Sequence, residues 1–216
     1  MIKKMVTIAM LIAMAHVINI FVRIPIMPTA TFLDYTAKEI IIIIGGFMFG
    51  PAAALSMSVI LALLQYFLIS GGTGPIGVVM NILSSASLAV TAAYIYSVHR
   101  NIKGAVIGLV AGVFLLVTVM LLWNYILTPI FTGLPRENVV SMLLPVFLPF
   151  NLISGSLNSA IAMMLYKPIT LALEKAKLRV SDIPVEGQRL NIRVLFVSGF
   201  VILTFILVIL AIQGII

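Results

Sequence analysis

Long apolar stretches separated by short polar segments set the pattern of this chain. Met5 to Val22, Ala52 to Ser70, Ile76 to Val98, Gly104 to Leu127, Met142 to Tyr166 and Val194 to Ile212 are each long enough, at about 1.5 Å per helical residue, to cross roughly 30 Å of hydrocarbon. Helices are predicted for all of them, because in lipid every backbone N–H and C=O must find its partner within the chain, and a helix does this locally. A seventh run, Ile40 to Phe49, stops at Gly50 and Pro51 and is too short to cross unaided. It is expected to tilt or to begin within the preceding loop, at Tyr35 to Ile44. The expectation is an all-α, polytopic membrane bundle of seven helices.

The polar segments alternate in a way that orients the bundle. Lys3, Lys4, Arg100, Lys103, Lys167, Lys175, Lys177, Arg179, Arg189 and Arg193 all fall on one side, leaving only Arg23, Lys38 and Arg136 of the 13 Lys and Arg on the other. By the positive-inside rule the N-terminus is cytoplasmic and, with seven spans, the C-terminus is outside. The acids discriminate less: Asp34, Glu39 and Glu137 fall outside, Glu174, Asp182 and Glu186 inside. Composition agrees with a bilayer as solvent, since 62% hydrophobic and 9% charged residues leave too little polar surface for a water-soluble fold. The net charge of +7 sits in membrane-flanking segments, so topology accounts for it and nucleic acid is not the expected partner. With no cysteine, disulfides, thiolate metal sites and cysteine nucleophiles are excluded. The first apolar segment starts like a signal peptide, but no small-residue cleavage site follows it and Arg23 does, so it reads as a retained span.

Residues 1–167 read as a single membrane domain with short connections. Composition changes abruptly over 168–193, which reads as a charged cytoplasmic linker near lipid headgroups, or as an interfacial amphipathic helix followed by a turn at Pro184 to Gly187. Residues 194–216 form an additional transmembrane helix. No internal repeat points to an inverted-repeat transporter.

Little in the chain suggests catalysis. No Asp or Glu lies well inside a predicted span, no phosphate-binding glycine loop is present, and His16 and His99 lack partners for a metal site. Ser70 and Ser154 have no base within sequence reach. The expectation is a protein that is not an enzyme, needs no cofactor and does not itself energise anything. What remains is a set of uncharged polar residues at membrane depth. Asn151, Ser154 and Asn158 recur at steps of three and four and share a helix face, while Asn124 sits between Trp123 and Tyr125, and Asn81 lies in the fourth span. A carboxamide facing hydrocarbon costs several kcal/mol, so each must meet a partner or a cavity. Asn81 and Asn158, nearer mid-span, suit hydrogen bonding between helices. Asn124 and Asn151, toward the outer ends, suit a ligand, and their paired donor and acceptor match a ring that alternates N–H and C=O.

Two outer loops support a ligand site. Phe21 to Lys38 holds Pro25, Pro28, Thr29, Thr31 and Asp34, and Gly71 to Gly77 holds four glycines in seven residues, more than a tight turn requires, allowing backbone to approach a ligand. On the first helix Ala9 and Ala13 have the small-x-x-x-small spacing that permits close helix packing.

Phe32-Leu33-Asp34-Tyr35, Gly45-Gly46-Phe47-Met48-Phe49-Gly50-Pro51, Gly72-Thr73-Gly74-Pro75-Ile76-Gly77, Trp123-Asn124-Tyr125 with Pro129, and Pro149-Phe150-Asn151-Leu152-Ile153-Ser154-Gly155 resemble, in this order, the substrate-binding (S) component of energy-coupling-factor (ECF) vitamin transporters, most closely its riboflavin branch. The resemblance covers about the first 167 residues and implies a six-helix core, here with one extra C-terminal helix. It further implies capture of a vitamin at the outer face of the cell membrane, and docking onto a transmembrane coupling subunit driven by two cytoplasmic ATPase subunits. Carried over residue by residue, Leu33, Asp34, Thr73, Gly74, Asn124, Asn151 and Ser154 would contact or enclose the ligand, and Ala9 and Ala13 would dock the partner. Ser154 stands where the riboflavin branch is expected to carry a lysine, which leaves another vitamin, such as pantothenate or a pyridoxine-like compound, as the alternative ligand. A non-transport scaffold whose amides only join helices is the alternative function.

Overall fold

A computed structural model describes residues 2–30, 33–68, 74–176 and 192–215. Helix α1 (Ile2–Phe21) leads into a small antiparallel hairpin of β1 (Arg23–Pro25) and β2 (Asp34–Thr36), with Arg23 opposite Thr36, Ile24 opposite Tyr35 and Pro25 opposite Asp34. The segment between the strands tucks inward: Ile26, Met27 and Ala30 are buried, and the Ala30 and Leu33 amides donate to the Met27 and Ala30 carbonyls. The hairpin is the one departure, among the described residues, from the expected all-α bundle.

Helix α2 (Lys38–Phe49) has 12 residues, which rise only about 18 Å, less than the thickness of the hydrocarbon. Every residue from Lys38 to Met48 is buried. Consecutive isoleucines from Ile40 to Ile44 favour a strand in isolation, but a segment apolar on all sides suits a helix surrounded by other helices. Two glycines let the neighbours close in: a Cβ on Gly46 would lie 2.9 Å from the Ala93 Cβ and 3.0 Å from the Ala54 Cβ, and one on Gly45 would lie 2.5 Å from the Met57 Sδ. The helix stops at Gly50, whose φ of 92° a side chain would strain, and Pro51 opens α3 (Pro51–Leu68) at a position where its missing N–H costs nothing.

Helices α4 (Gly74–Val98) and α5 (Ile102–Thr132) pack side by side through small residues. A Cβ on Gly108 would meet the Ala92 carbonyl at 2.8 Å, and one on Gly112 the Leu88 carbonyl at 2.6 Å. The Asn101 side chain caps α5 by accepting from the Gly104 N–H at 2.7 Å. The expected sixth span is longer than its apolar core. Helix α6 (Arg136–Met142), a widened π turn at Leu143–Phe147 and α7 (Leu148–Lys175) form one rod of 40 residues. Pro145 lies in the widened turn, where a missing donor and a ring clash disrupt the regular ladder. The rod continues past Lys167 through Pro168 to Lys175, so the helix does not end where the charge begins. Of the segment 168–193 expected to hold a linker or an interfacial helix, residues 177–191, the turn at Pro184 to Gly187 included, lie outside the described residues.

Helix α8 (Ile192–Ile212) packs on α7. Ile202, Phe205, Ile209 and Ile212, one helical stripe, face the core, while Phe196, Val197, Phe200 and Leu203 are exposed. Six helical segments are long and apolar enough to cross a membrane, and the protein is a multi-pass membrane protein. With the short, buried α2, the bundle has the seven elements read from the pattern. One placement is corrected: Lys38 and Glu39, expected in an outer loop, are 2% and 8% exposed and lie inside the bundle.

Candidate functional site

Beside the hairpin the helices enclose a cavity of about 180 Å³. Its wall is built by helical spacing. Helix α4 contributes Gly77, Asn81, Ser84 and Leu88, α5 contributes Leu116, Met120, Asn124 and Thr128, and α7 contributes Asn151, Ser154, Gly155 and Asn158, each set falling on one face at steps of three or four. Leu33, Asp34 and Thr36 come from the hairpin and Glu39 from α2. Gly155 keeps the space between α7 and α5 narrow, since a Cβ there would sit 2.8 Å from the Leu116 Cδ2.

Three asparagines share one device. Asn81 donates from Nδ2 to the Gly77 carbonyl at 2.9 Å, Asn124 to the Met120 carbonyl at 2.7 Å and Asn151 to the Phe147 carbonyl at 2.7 Å. Bonding back to residue i−4 fixes the side chain against its own helix and leaves a second amide proton for another acceptor. The Asn124 Oδ1 also accepts from the Thr128 hydroxyl at 2.9 Å. Both Asn124 and Asn151 are buried against apolar walls such as Met120, Leu127 and Phe150. The Ser154 Oγ is buried without a partner, an unmet donor and acceptor at the cavity wall.

Deeper in, a connected network replaces the simple interhelical bonds expected of Asn81 and Asn158. Asn158 accepts from the Tyr35 hydroxyl at 2.9 Å and donates to the Thr36 carbonyl at 3.1 Å and toward Glu39 Oε2 at 3.5 Å, joining α7 to the hairpin and α2. Glu39 also accepts from Ser85 at 3.1 Å and Thr36 at 3.3 Å. Its neighbour Lys38 turns the other way. The ammonium donates to Gln65 of α3 at 2.9 Å and to Asn81 of α4 at 2.5 Å, and lies 4.0 Å from Glu39 Oε1. Asn19 of α1 donates to the same Gln65 at 3.3 Å. Tyr35, on β2 outside the spanning helices, has its hydroxyl pushed above the ordinary range by burial first and by the Glu39 charge second, so it serves as a donor.

Of the residues expected from sequence, Leu33, Asp34, Asn124, Asn151 and Ser154 come together in the cavity wall. Gly74 does not line it; it opens α4 at a φ of 55°. Thr73, Gly71 and Gly72 lie outside the described residues, while Gly77 does reach the wall. Ala9 and Ala13 sit on the exposed face of α1, away from the cavity. Sequence reasoning missed Lys38 and Glu39 because an outer loop is the ordinary place for charge, and it passed over Gln65, a single amide within the third expected span; the available signal was a Lys-Glu pair abutting five isoleucines with no polar turn between. Among the described residues no cluster of His, Cys, Asp or Glu could hold a metal ion.

A helical membrane bundle that encloses a mostly apolar cavity fringed by oriented carboxamides is a small-molecule binding protein embedded in the bilayer. The chain belongs to the substrate-specific components of ECF transporters: residues 3–166 match the family model described as "ECF transporter, substrate-specific component". It is therefore a transporter component and not an enzyme. It is 28% identical over 179 residues to the riboflavin transporter RibU of Staphylococcus aureus (strain TCH60), covering 80% of this chain and 93% of that protein. It is 26% identical over 181 residues to RibU of Streptococcus thermophilus (strain ATCC BAA-250 / LMG 18311), covering 80% and 85%. To the riboflavin transporter FmnP of Bacillus subtilis (strain 168) the figures are 24% over 173 residues, 76% and 90%. A solved S component of a bacterial ECF transporter superposes with a TM-score of 0.68 at 29% identity, covering 80% of this chain and 98% of that one.

Proposed function

We propose that this chain is the riboflavin-binding subunit of an ECF importer, capturing the vitamin in the cavity beneath the hairpin. The observation that carries the reading is that Asn124 of α5 and Asn151 of α7, each fixed by an i−4 bond, both line one cavity whose walls are mostly apolar. Such a cavity suits a flat ring system, and carboxamides with a free proton suit its alternating N–H and C=O edge. The names of the three relatives point to the same ligand. Leu33 and Asp34 would cover the ligand from the hairpin, Ser154 would meet a polar group of it, and the loop from Thr73 to Gly77, of which Gly77 reaches the wall, would close over it. Binding would need only residues 1–167; the charged segment 168–193, whose first residues extend α7 and whose last two open α8, would connect this core to the added span at 194–216.

The distribution of basic residues supports a cytoplasmic N-terminus. Lys4 lies at the Phe49 end of α2, its ammonium 3.5 Å from the Phe49 carbonyl, opposite the end that carries Lys38 and the cavity, so with the N-terminus inside the cavity would open to the outside. Uptake then requires a transmembrane coupling subunit and two ATPase subunits, docked on the exposed Ala9 and Ala13 face.

Riboflavin fluorescence should be quenched saturably, with one site per chain, when the purified full chain is titrated. Pantothenate and pyridoxine should not displace it. A protein that leaves riboflavin fluorescence unchanged and releases a different vitamin on denaturation, identified by mass spectrometry, would overturn the ligand assignment.

A further inference from the structure

Helix α8 lies beyond the residues that match the family model, 3–166, yet its outer end reaches the site. The side chain of Gln213, just past the last turn of α8, donates from Nε2 to the carbonyl of Pro25 at 2.8 Å, a contact 188 residues apart in sequence. Pro25 is paired with Asp34 in the hairpin, and Asp34 with its neighbour Leu33 lines the cavity. At its start β1 is tied to α1, where Arg23 Nε donates to the Asn19 carbonyl at 3.1 Å, and β2 is held from within by the Tyr35 and Thr36 bonds to Asn158; the Gln213 bond adds a tether at the other end of β1. The stripe Ile202, Phe205, Ile209 and Ile212 seats α8 against the core directly below this point, so the tether hangs from a fixed post.

We infer that α8 is a latch for the hairpin, with Gln213 the positioning residue that sets how long a ligand stays in the cavity. For a ligand to leave past Leu33 and Asp34, β1 and β2 must lift together, because their backbones are paired. Lifting them breaks the Gln213 bond, while a ligand already bound in the closed state gains nothing further from it. The bond therefore acts chiefly on release. As to what enters and leaves, the inference rests on the riboflavin reading above; as to the hairpin itself, it does not.

Three measurements on the purified full chain separate these. In the absence of ligand, Gln213→Ala should speed hydrogen exchange of the backbone amides of 23–36 while leaving those of α4 and α5 unchanged. With riboflavin as the probe, stopped-flow fluorescence should show its dissociation about two- to ten-fold faster, the loss equivalent to one hydrogen bond, at an unchanged melting temperature. Because the chain has no cysteine, Ile24→Cys with Gln213→Cys can be bridged by a short bifunctional thiol reagent, and the bridged protein should exchange riboflavin more slowly than the unbridged one. Unchanged exchange in the hairpin overturns the latch whatever the ligand. Faster exchange with an unchanged off-rate, or a lowered melting temperature with an unchanged off-rate, also overturns it, since the contact is then only structural. If the parent chain fails to quench riboflavin, the ligand assignment falls and hydrogen exchange alone decides the latch.

Discussion

Single side chains in this protein carry two duties, and the balance between them sets what their loss would do. Asn124 and Asn151 each spend one amide proton on the carbonyl four residues earlier, so truncation costs the fold little while the cavity loses a donor and an acceptor. Asn124→Ala and Asn151→Ala should each weaken riboflavin binding by about 1 to 3 kcal/mol, roughly five-fold to more than a hundred-fold, with the protein still folded; isothermal titration checks this. Lys38 should behave in the opposite way. Its ammonium, 2% exposed, satisfies Gln65 and Asn81 and faces Glu39. Lys38→Met strips three groups of their partner at once, the buried Glu39 carboxylate among them, and should lower stability by about 3 kcal/mol or more, read as a fall in melting temperature. Lys38→Met with Glu39→Gln should recover part of that loss, because the uncompensated carboxylate is gone.

At the scale of the element, α2 shows why a short helix belongs here. It does not have to meet lipid, so it need not span, and its length of 12 residues leaves the space above Lys38 and Glu39 to be filled by the hairpin and the cavity. Close approach to α3 and α4 depends on its glycines. Gly46→Leu should destabilise the bundle by about 1 to 3 kcal/mol through overpacking, since even a Cβ would press on Ala54 and Ala93. The face of α1 is read in the reverse sense: Ala9 and Ala13 are exposed and touch no part of the cavity. In Ala9→Trp with Ala13→Trp, riboflavin binding by the purified chain should be intact while uptake by cells holding the coupling proteins is lost; normal uptake by a correctly inserted variant would contradict docking on this face.

For the whole molecule, the division into a binding core and an added span can be tested by deleting residues 194–216. Every side chain that lines the cavity lies between Leu33 and Asn158, so the truncated protein should still bind riboflavin at equilibrium. Release should be faster than in the full chain, because the Gln213 contact with the hairpin goes with α8. Loss of binding in a properly inserted truncation would mean that the last helix is part of the site.

Much of this architecture was legible in one dimension. A bilayer removes water as a backbone partner, so apolar length alone determines which segments become helices. Asparagine at membrane depth must find a partner, which is why Asn124 and Asn151 could be singled out before any coordinates. The hairpin, the burial of Lys38 and Glu39, and the run of α7 to Lys175 could not be read that way. Each is decided by contacts between segments far apart in the chain, such as Asn158 with Tyr35, 123 residues apart, and Lys38 with Asn81, 43 apart. A charge beside an apolar run looks the same in sequence whether water or three neighbouring helices will satisfy it, and only the tertiary structure, by supplying those helices, determines that here it is the helices.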